Sequence, residues 1–495
     1  MRYVFICSFV FLVIASTATY LSLPEQRSEA PIIRWATDPN PARKAQVERF
    51  HQWLEDNDYP EIELRLDTAS RGRKMLIQGV SGIASDILGH IDGSRLRYYH
   101  QVGLLDDVTE KAKRLGFSPQ ETWAPIRPNI THDGRQYTFP CNVAARLYWV
   151  NKRILKKYDV EIPDGRWSVE RFEELGRKFV RKANEGLEYP KYFFSAGIQM
   201  LPLYRSMGLD VFNETQTRCI LDDSRYEKAL KLRYKWTYED HILPTSRDRA
   251  SFATESGYGG SALQLFNQGN YATVWIGRYG LIQFRQFGDM DLTVVEPPHA
   301  GFPNTSLTTR AAAVYRGGDN KDLAAYFLAY LASEEYNMTI VEDADALPPN
   351  PKYTRTEEYL RPEDYPNEWG IHRRFADAAR NIAIARPFSP FVLGKTVQRI
   401  QRGLEDGVQS DVYSPNEAAA IAADRINSAI KRNLREYPAM EEEYNRRLAL
   451  QEKIDARRKN RKKVPLKWIT NPFYRRYYLE KGWALKRNKE IRMRE

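Results

Sequence analysis

Residues Tyr137 to Tyr158, YTFPCNVAARLYWVNKRILKKY, decide how the rest of this 495-residue chain is read. The stretch begins extended: Tyr137 and Phe139 are two apart, and Pro140 lacks the donor that a central strand needs. From Val143 to Val150 the run is apolar and aromatic, broken only by Arg146, with Leu147, Tyr148 and Trp149 near its end. That length and aromatic content predict a buried strand. Asn151 is placed to cap a short basic helix from Lys152 to Tyr158. A turn with Pro163 and Gly165 follows. Ser168, after Trp167, is placed to cap a second helix from Val169, with Glu170 in its first turn. A strand thus leaves one half of the chain, and two capped helices open the other.

Upstream, Ile32 to Ala36 reads as a short strand ending in Thr37-Asp38-Pro39-Asn40-Pro41, whose prolines set φ and whose Asx residues cap. Val47, Phe50, Trp53 and Leu54 then recur at helical spacing. Ile62, Leu64 and Leu66 alternate as a strand, a helix runs from Arg71 to about Gly79, and Ser85 to Leu88 is a third strand. This alternation predicts a doubly wound parallel sheet. Ligands of such sheets bind off the carboxyl ends of the strands. Thr37, Asp38, Asp67, Asp86 and His90 are expected there.

Several segments, in this order, resemble the bacterial extracellular solute-binding proteins, the carbohydrate class of ABC importers. Pro140 with the apolar strand, Asn151-Lys152 and Trp167-Ser168 resemble that family's crossover between lobes. Phe266, Gly269, Ala272, Thr273 and Gly277 match its "F-x-x-G-x-x-A-[MT]-x-x-x-G" unit. Ala324, Phe327, Tyr330, Leu331, Ser333 and Glu335 match "A-x-x-F-x-x-[YF]-L-x-S-x-E", and Ala346-Leu347-Pro348 its "lP" segment. Each motif alone is weak; their order and spacing over Ile32 to Tyr437 are specific. The resemblance implies a two-lobed α/β periplasmic-binding-protein-like fold of type II, with a ligand cleft between the lobes. The first lobe is then expected over 31–138, completed by 297–350, and the second over 139–296, completed by 351–437. A basic, aromatic extension over 440–495 departs from the family.

Arg2, the uncharged run from Tyr3 to Ala15 and the small residues after it read as an export signal over 1–23. The uncharged stretch reaches Leu23, near a bilayer-spanning length, so an uncleaved N-terminal anchor is the alternative. Either way the bulk of the chain is expected outside the cytoplasm. The formal charge of +11 is not spread evenly. From Asn445 onward there are 18 Lys and Arg against 5 acids, which leaves the remainder nearly neutral. The body is therefore no nucleic-acid binder. In the tail, basic residues interleave with Trp468, Phe473, Tyr474, Tyr477, Tyr478 and Trp483. That pattern suits an anionic lipid surface or an acidic partner; the other reading packs it back on the second lobe. With three cysteines there is no zinc or disulfide framework. Cys141 and Cys219 either pair or remain separate buried thiols.

Enzyme motifs are missing: no H-E-x-x-H, P-loop, G-x-S-x-G or strand-borne G-x-G-x-x-G occurs. The seven histidines form no ligand pair, and no metal or cofactor is expected. A sugar offers hydroxyls that donate and accept, and apolar C–H faces, so its site needs carboxylates, amides, Arg and aromatic rings. On that chemistry the expected ligand contacts are Asp38, Asp86, Asn142, Trp275, Arg278, Tyr279, His299 and Thr308, with His90 and Thr309 as further candidates. The resemblance implies a non-catalytic subunit that closes on a carbohydrate and delivers it to ABC permease subunits; a polyol or phosphorylated compound stays open as ligand. The rival readings are an exported carbohydrate-active hydrolase and a membrane-anchored sensor or scaffold.

Overall fold

One 14-residue strand passes through both halves of the molecule, and the remaining strands arrange themselves along it. The computed structural model describes residues 30–485 except 71 and 253–259. The signal or anchor expected over 1–23 lies outside the described residues. Among the described residues no helix is long and apolar enough to cross a membrane.

In chain order the main-sheet strands are β1 (Ile32–Ala36), β2 (Glu63–Asp67), β3 (Ile87–Ile91), β4 (Thr138–Asn151), β5 (Phe193–Ser195), β6 (Tyr271–Gly277), β7 (Leu292–Val295), β8 (Thr305–Val314) and β9 (Ala383–Ala385). They form one sheet in the order β2-β1-β3-β8-β4-β6-β5, with β7 also beside β4 and β9 beside β8. β1 runs parallel to β2 and β3, as the strand–helix alternation predicts. The first part of β4 pairs antiparallel with β8, from Thr138 opposite Ala313 to Ala145 opposite Leu307. Its second part lies between β6 and β7, with Arg146 opposite Gly277 and Tyr148 opposite Val295. The crossover is thus a pair of antiparallel strands, β4 and β8, rather than a loop.

The sequence places Pro140 ahead of the strand, yet it lies inside it. The register slips between Asn142 opposite Arg310 and Pro140 opposite Ala311, so Cys141 is an extra residue. Its carbonyl accepts the Tyr336 hydroxyl at 2.9 Å. The missing proline donor thereby falls beside an irregularity where the ladder is already interrupted. One extra residue also reverses the faces. Phe139 and Cys141 belong to the core around Trp35, Phe50 and Phe327, whereas Val143, Ala145, Leu147 and Trp149 belong to the core on the opposite face.

The caps fall where the residue types require. Asn151 Oδ1 accepts the Ile154 N–H at 3.2 Å, and Ser168 Oγ accepts the Arg171 N–H at 3.2 Å. Helices Val169–Ala183, Ser224–Tyr238 and Pro415–Glu436 then pack around Phe172, Trp236 and Ile426. A further helix, Gly394–Gln409, has no side-chain cap and carries Gly403 and Gly407 inside, so no start signal announces it, although Val397, Ile400, Leu404 and Val408 recur at helical spacing. Cys141 and Cys219 are free, buried and in different cores; burial pushes their thiols up to about 11 and about 12.

The C-terminal extension is not a separate basic arm. Helices Glu441–Lys459 and Pro472–Glu480 build a small core in which Ile454, Ile469, Phe473, Tyr474 and Tyr478 close over Phe302 and Ile384. Buried Glu214 anchors it by accepting from Gln451 Nε2 and Arg458 Nη1, both at 2.9 Å, and from the Tyr478 hydroxyl. Asn471 Nδ2 donates to Asp210 at 2.9 Å. The lipid-surface expectation is corrected on this point: the aromatics that would have faced a membrane are spent on packing, and of those aromatics only Trp483 stays half exposed.

Candidate functional site

The crossing strands form the floor of a cleft of about 520 Å³. Arg146 of β4 and Ser306 to Thr309 of β8 line that floor. One wall is the end of β3 and the start of helix Gly93–Gln101, with His90, Asp92 and Arg95. The other carries Trp275 of β6, Met200 and Tyr204, and the segment from Arg386 to Glu405, including Gln398 and Gln401. A larger recess, about 1060 Å³, lies under the C-terminal extension. Its polar groups Gln451 and Arg458 already bond Glu214, and the cleft between the halves is the candidate site.

Local backbone chemistry shapes the first wall. A Cβ at Gly89 would lie 2.0 Å from the Ala36 carbonyl oxygen, so only glycine lets β3 approach β1 this closely. The next residue, His90, has φ of +57°, a strained conformation for a histidine. Its carbonyl accepts Arg95 Nη1 at 2.5 Å, while its Nε2 is buried with no hydrogen-bond partner. Burial, aided by Arg310, pushes its pKa down to about 4, so the ring is neutral at pH 7. Asp92 caps the helix, accepting from the N–H groups of Ser94 at 3.1 Å and Arg95 at 2.9 Å.

On the opposite side the guanidinium of Arg146 lies 4.9 Å from the centre of the Trp275 ring. Its Nε is buried without a partner. Arg386 stands nearby, open to the cleft, and both its recessed position and Arg146 lower its proton affinity. Glu405 accepts from the Tyr226 hydroxyl and from Arg233, each at 3.3 Å, and burial pushes its pKa up to about 7. The two walls touch at the rim: the Gly394 N–H donates to Ser94 Oγ at 3.2 Å, and Arg97 lies 4.1 Å over the Phe388 ring.

The structure sorts the residues expected from sequence. Trp275 and Thr308 line the cleft, as do His90 and Thr309. Asp38 sits beside it at the carboxyl end of β1, but its carboxylate is taken by Arg43 Nε at 2.8 Å and Arg310 Nη1 at 2.7 Å. Asn142 belongs to the crossing strands and donates to the Asp345 carbonyl at 3.3 Å. Tyr279 is half-buried near Arg386. Three expectations are corrected. Asp86 precedes β3, at the end away from the cleft, and accepts the Arg34 N–H at 2.9 Å. His299 bridges to Ser168 and its carbonyl accepts the Val169 N–H, outside the cleft. Arg278 is 1% exposed and donates to the carbonyls of Ile340, Val341 and Ala346 and to His372 Nδ1, at 2.7–3.2 Å. Its charge closes the end of helix Glu334–Glu342; four of its five N–H donors are spent there, and it lies outside the cleft lining.

Sequence reasoning missed Arg386, Gln398, Gln401 and Glu405, which lie in or just before the Gly394–Gln409 helix. Arg146 did leave a signal, as the one charge in an apolar strand.

Fold and cleft together define a two-lobed α/β binding protein of the type II periplasmic kind. A model of the bacterial extracellular solute-binding protein family matches residues 37–338, and the chain belongs to that family. Solved structures share the fold at low identity. An ABC substrate-binding protein from Listeria monocytogenes, in complex with cycloalternan, superposes with a TM-score of 0.68 at 18% identity, over 81% of this chain and 99% of that one. The GacH receptor of Streptomyces glaucescens, solved unliganded and with acarbose, gives 0.65 at 17%, over 81% and 99%. The maltose/maltodextrin-binding domain from Bdellovibrio bacteriovorus, bound to maltotriose, gives 0.64 at 16%, over 81% and 100%.

Proposed function

We propose that the protein is the extracytoplasmic capture subunit of an ABC importer, closing two lobes on a carbohydrate and presenting it to the permease. The observation that carries this is the composition of the cleft: an aromatic ring, Trp275, beside hydroxyls and amides from Thr308, Thr309, Gln398 and Gln401. Rings of sugars present C–H faces to indole and hydroxyls to such groups. Similar folds have been solved with cycloalternan, acarbose and maltotriose bound, which supports a saccharide here. The β4–β8 pair is the natural hinge, since two strands can twist without breaking either core. No catalytic step is assigned; the work is selective binding coupled to closure.

A thermal-shift screen against saccharides and polyols tests this reading. A ligand at 100 times its Kd stabilises by about 2.7 kcal/mol. Trp275→Ala is expected to weaken the best hit at least tenfold while urea unfolding stays cooperative. A hit whose affinity ignores this substitution would place the site elsewhere.

A further inference from the structure

The charges of the cleft do not balance. Arg146 has no ion pair and no side-chain hydrogen bond among the described residues, and its Nε is buried. Arg386 has none either and lines the same cleft. Of the acids lining the cleft, Asp92 spends one oxygen on its helix cap and draws on Arg386 without pairing with it, and Glu405 is taken by Arg233 and Tyr226. Two guanidiniums lining one space, neither of them ion-paired, leave a place there for an anion. Arg43 and Arg205, by contrast, are paired with Asp38 and Asp210 at 2.8 Å, and buried Arg278 is satisfied by carbonyls and His372. Planar guanidiniums take carboxylate or phosphate oxygens two at a time, a geometry suited to an anionic group held between them.

We propose that the cleft is built for an acidic saccharide, one bearing a carboxylate or a phosphate or sulfate ester, whose anion is clamped between Arg146 and Arg386 while its ring lies by Trp275. This rests on the capture of a carbohydrate argued above and adds its charge. His90 Nε2, neutral and unpartnered on the facing wall, supplies a donor or acceptor to a hydroxyl without adding a further charge.

The test is calorimetry on the full mature chain with trigalacturonate, its methyl ester, glucose 1-phosphate, maltotriose and inorganic phosphate. Trigalacturonate or glucose 1-phosphate should bind at least tenfold more tightly than the methyl ester and maltotriose; which of the two does so separates carboxylate from phosphate ester. Arg386→Gln and Arg146→Gln should each bring that ratio below threefold, Arg386→Lys should retain part of it, and added salt should shrink it. Circular dichroism of each variant guards against misfolding. Neutral saccharides binding as tightly as acidic ones, with no effect of Arg386→Gln on the ratio, would overturn the acidic proposal and leave carbohydrate capture standing. Binding of none of the saccharides, or inorganic phosphate matching the sugars, would overturn both.

Discussion

Two groups of arginines stand on either side of the crossing strands, and they are used in opposite ways. Arg43 and Arg310, at the carboxyl end of β1 and on β8, share Asp38 and Asp345, with separations of 2.7–3.4 Å. Arg146 and Arg386, on the cleft floor and the opposite wall, have no ion pair or side-chain hydrogen bond among the described residues. Burial is costly for the first group, and its carboxylates meet that cost within the fold. The neighbouring arginines hold Asp38 well below the usual carboxylate range and lower Asp345 too, despite burial pulling the other way. The first group ties the end of β1 to the crossing strands; the second, on the proposal above, is open to an anionic ligand. Sequence does not separate Arg310 from Arg146, because each is a lone cation in an otherwise uncharged strand.

The contrast can be broken most severely at Asp345. Asp345→Ala leaves Arg43 and Arg310 sharing one carboxylate and should cost about 3–5 kcal/mol in urea unfolding. A loss under 1 kcal/mol would mean that the cluster is not structural. Arg278→Met should follow: three helix-end carbonyls and His372 lose their donor, for a loss of about 1–3 kcal/mol. The same variant should leave saccharide affinity within threefold, since Arg278 is absent from the cleft lining.

Glu405 sharpens the comparison through pH. Its pKa rises from 4.5 to about 7 on folding, so the folded state holds its proton longer than the unfolded chain. The stability it contributes is full below pH 4.5 and fades as pH climbs through 7. Glu405→Gln should therefore be near neutral at pH 4.5 and stabilising by about 1–2 kcal/mol at pH 8, read from paired denaturation curves. Equal effects at both values would place Glu405 ionised throughout. The smallest effect is expected at Arg386: Arg386→Gln removes a repelled, solvent-open cation and should change stability by less than about 0.5 kcal/mol. Loss of more than 1 kcal/mol would mean that it has a structural partner.

Much of the frame was legible because its signals are local. Alternation in β1 to β3, the Asn151 and Ser168 caps and the aromatic run of β4 each depend on neighbours within a few residues. The face reversal at Cys141 was not legible, since a one-residue slip is defined only against β8. The site was read less well than the frame. Trp275 and Thr308 were reachable from strand ends. Asp86 was misplaced because the strand runs over Ile87–Ile91 instead of Ser85 to Leu88, which leaves the aspartate ahead of its start, at the wrong end. Arg278 was misassigned because its partners, Ile340 to Ala346, lie more than 60 residues away and offer only backbone carbonyls. The Gly394–Gln409 helix has an uncapped start and two inner glycines, but the spacing of Val397, Ile400, Leu404 and Val408 was a legible signal that went unread; Arg386, ahead of it, left none.

The docked extension changes what truncation would do. Cutting the chain after Tyr437, as its family likeness invites, would strip Phe302 and Ile384 of their cover and strand the Glu214 carboxylate without Gln451, Arg458 and Tyr478. The shortened product would be a sticky body with an unpartnered carboxylate rather than a plain version of the same protein. Any expression design should end no earlier than Leu485.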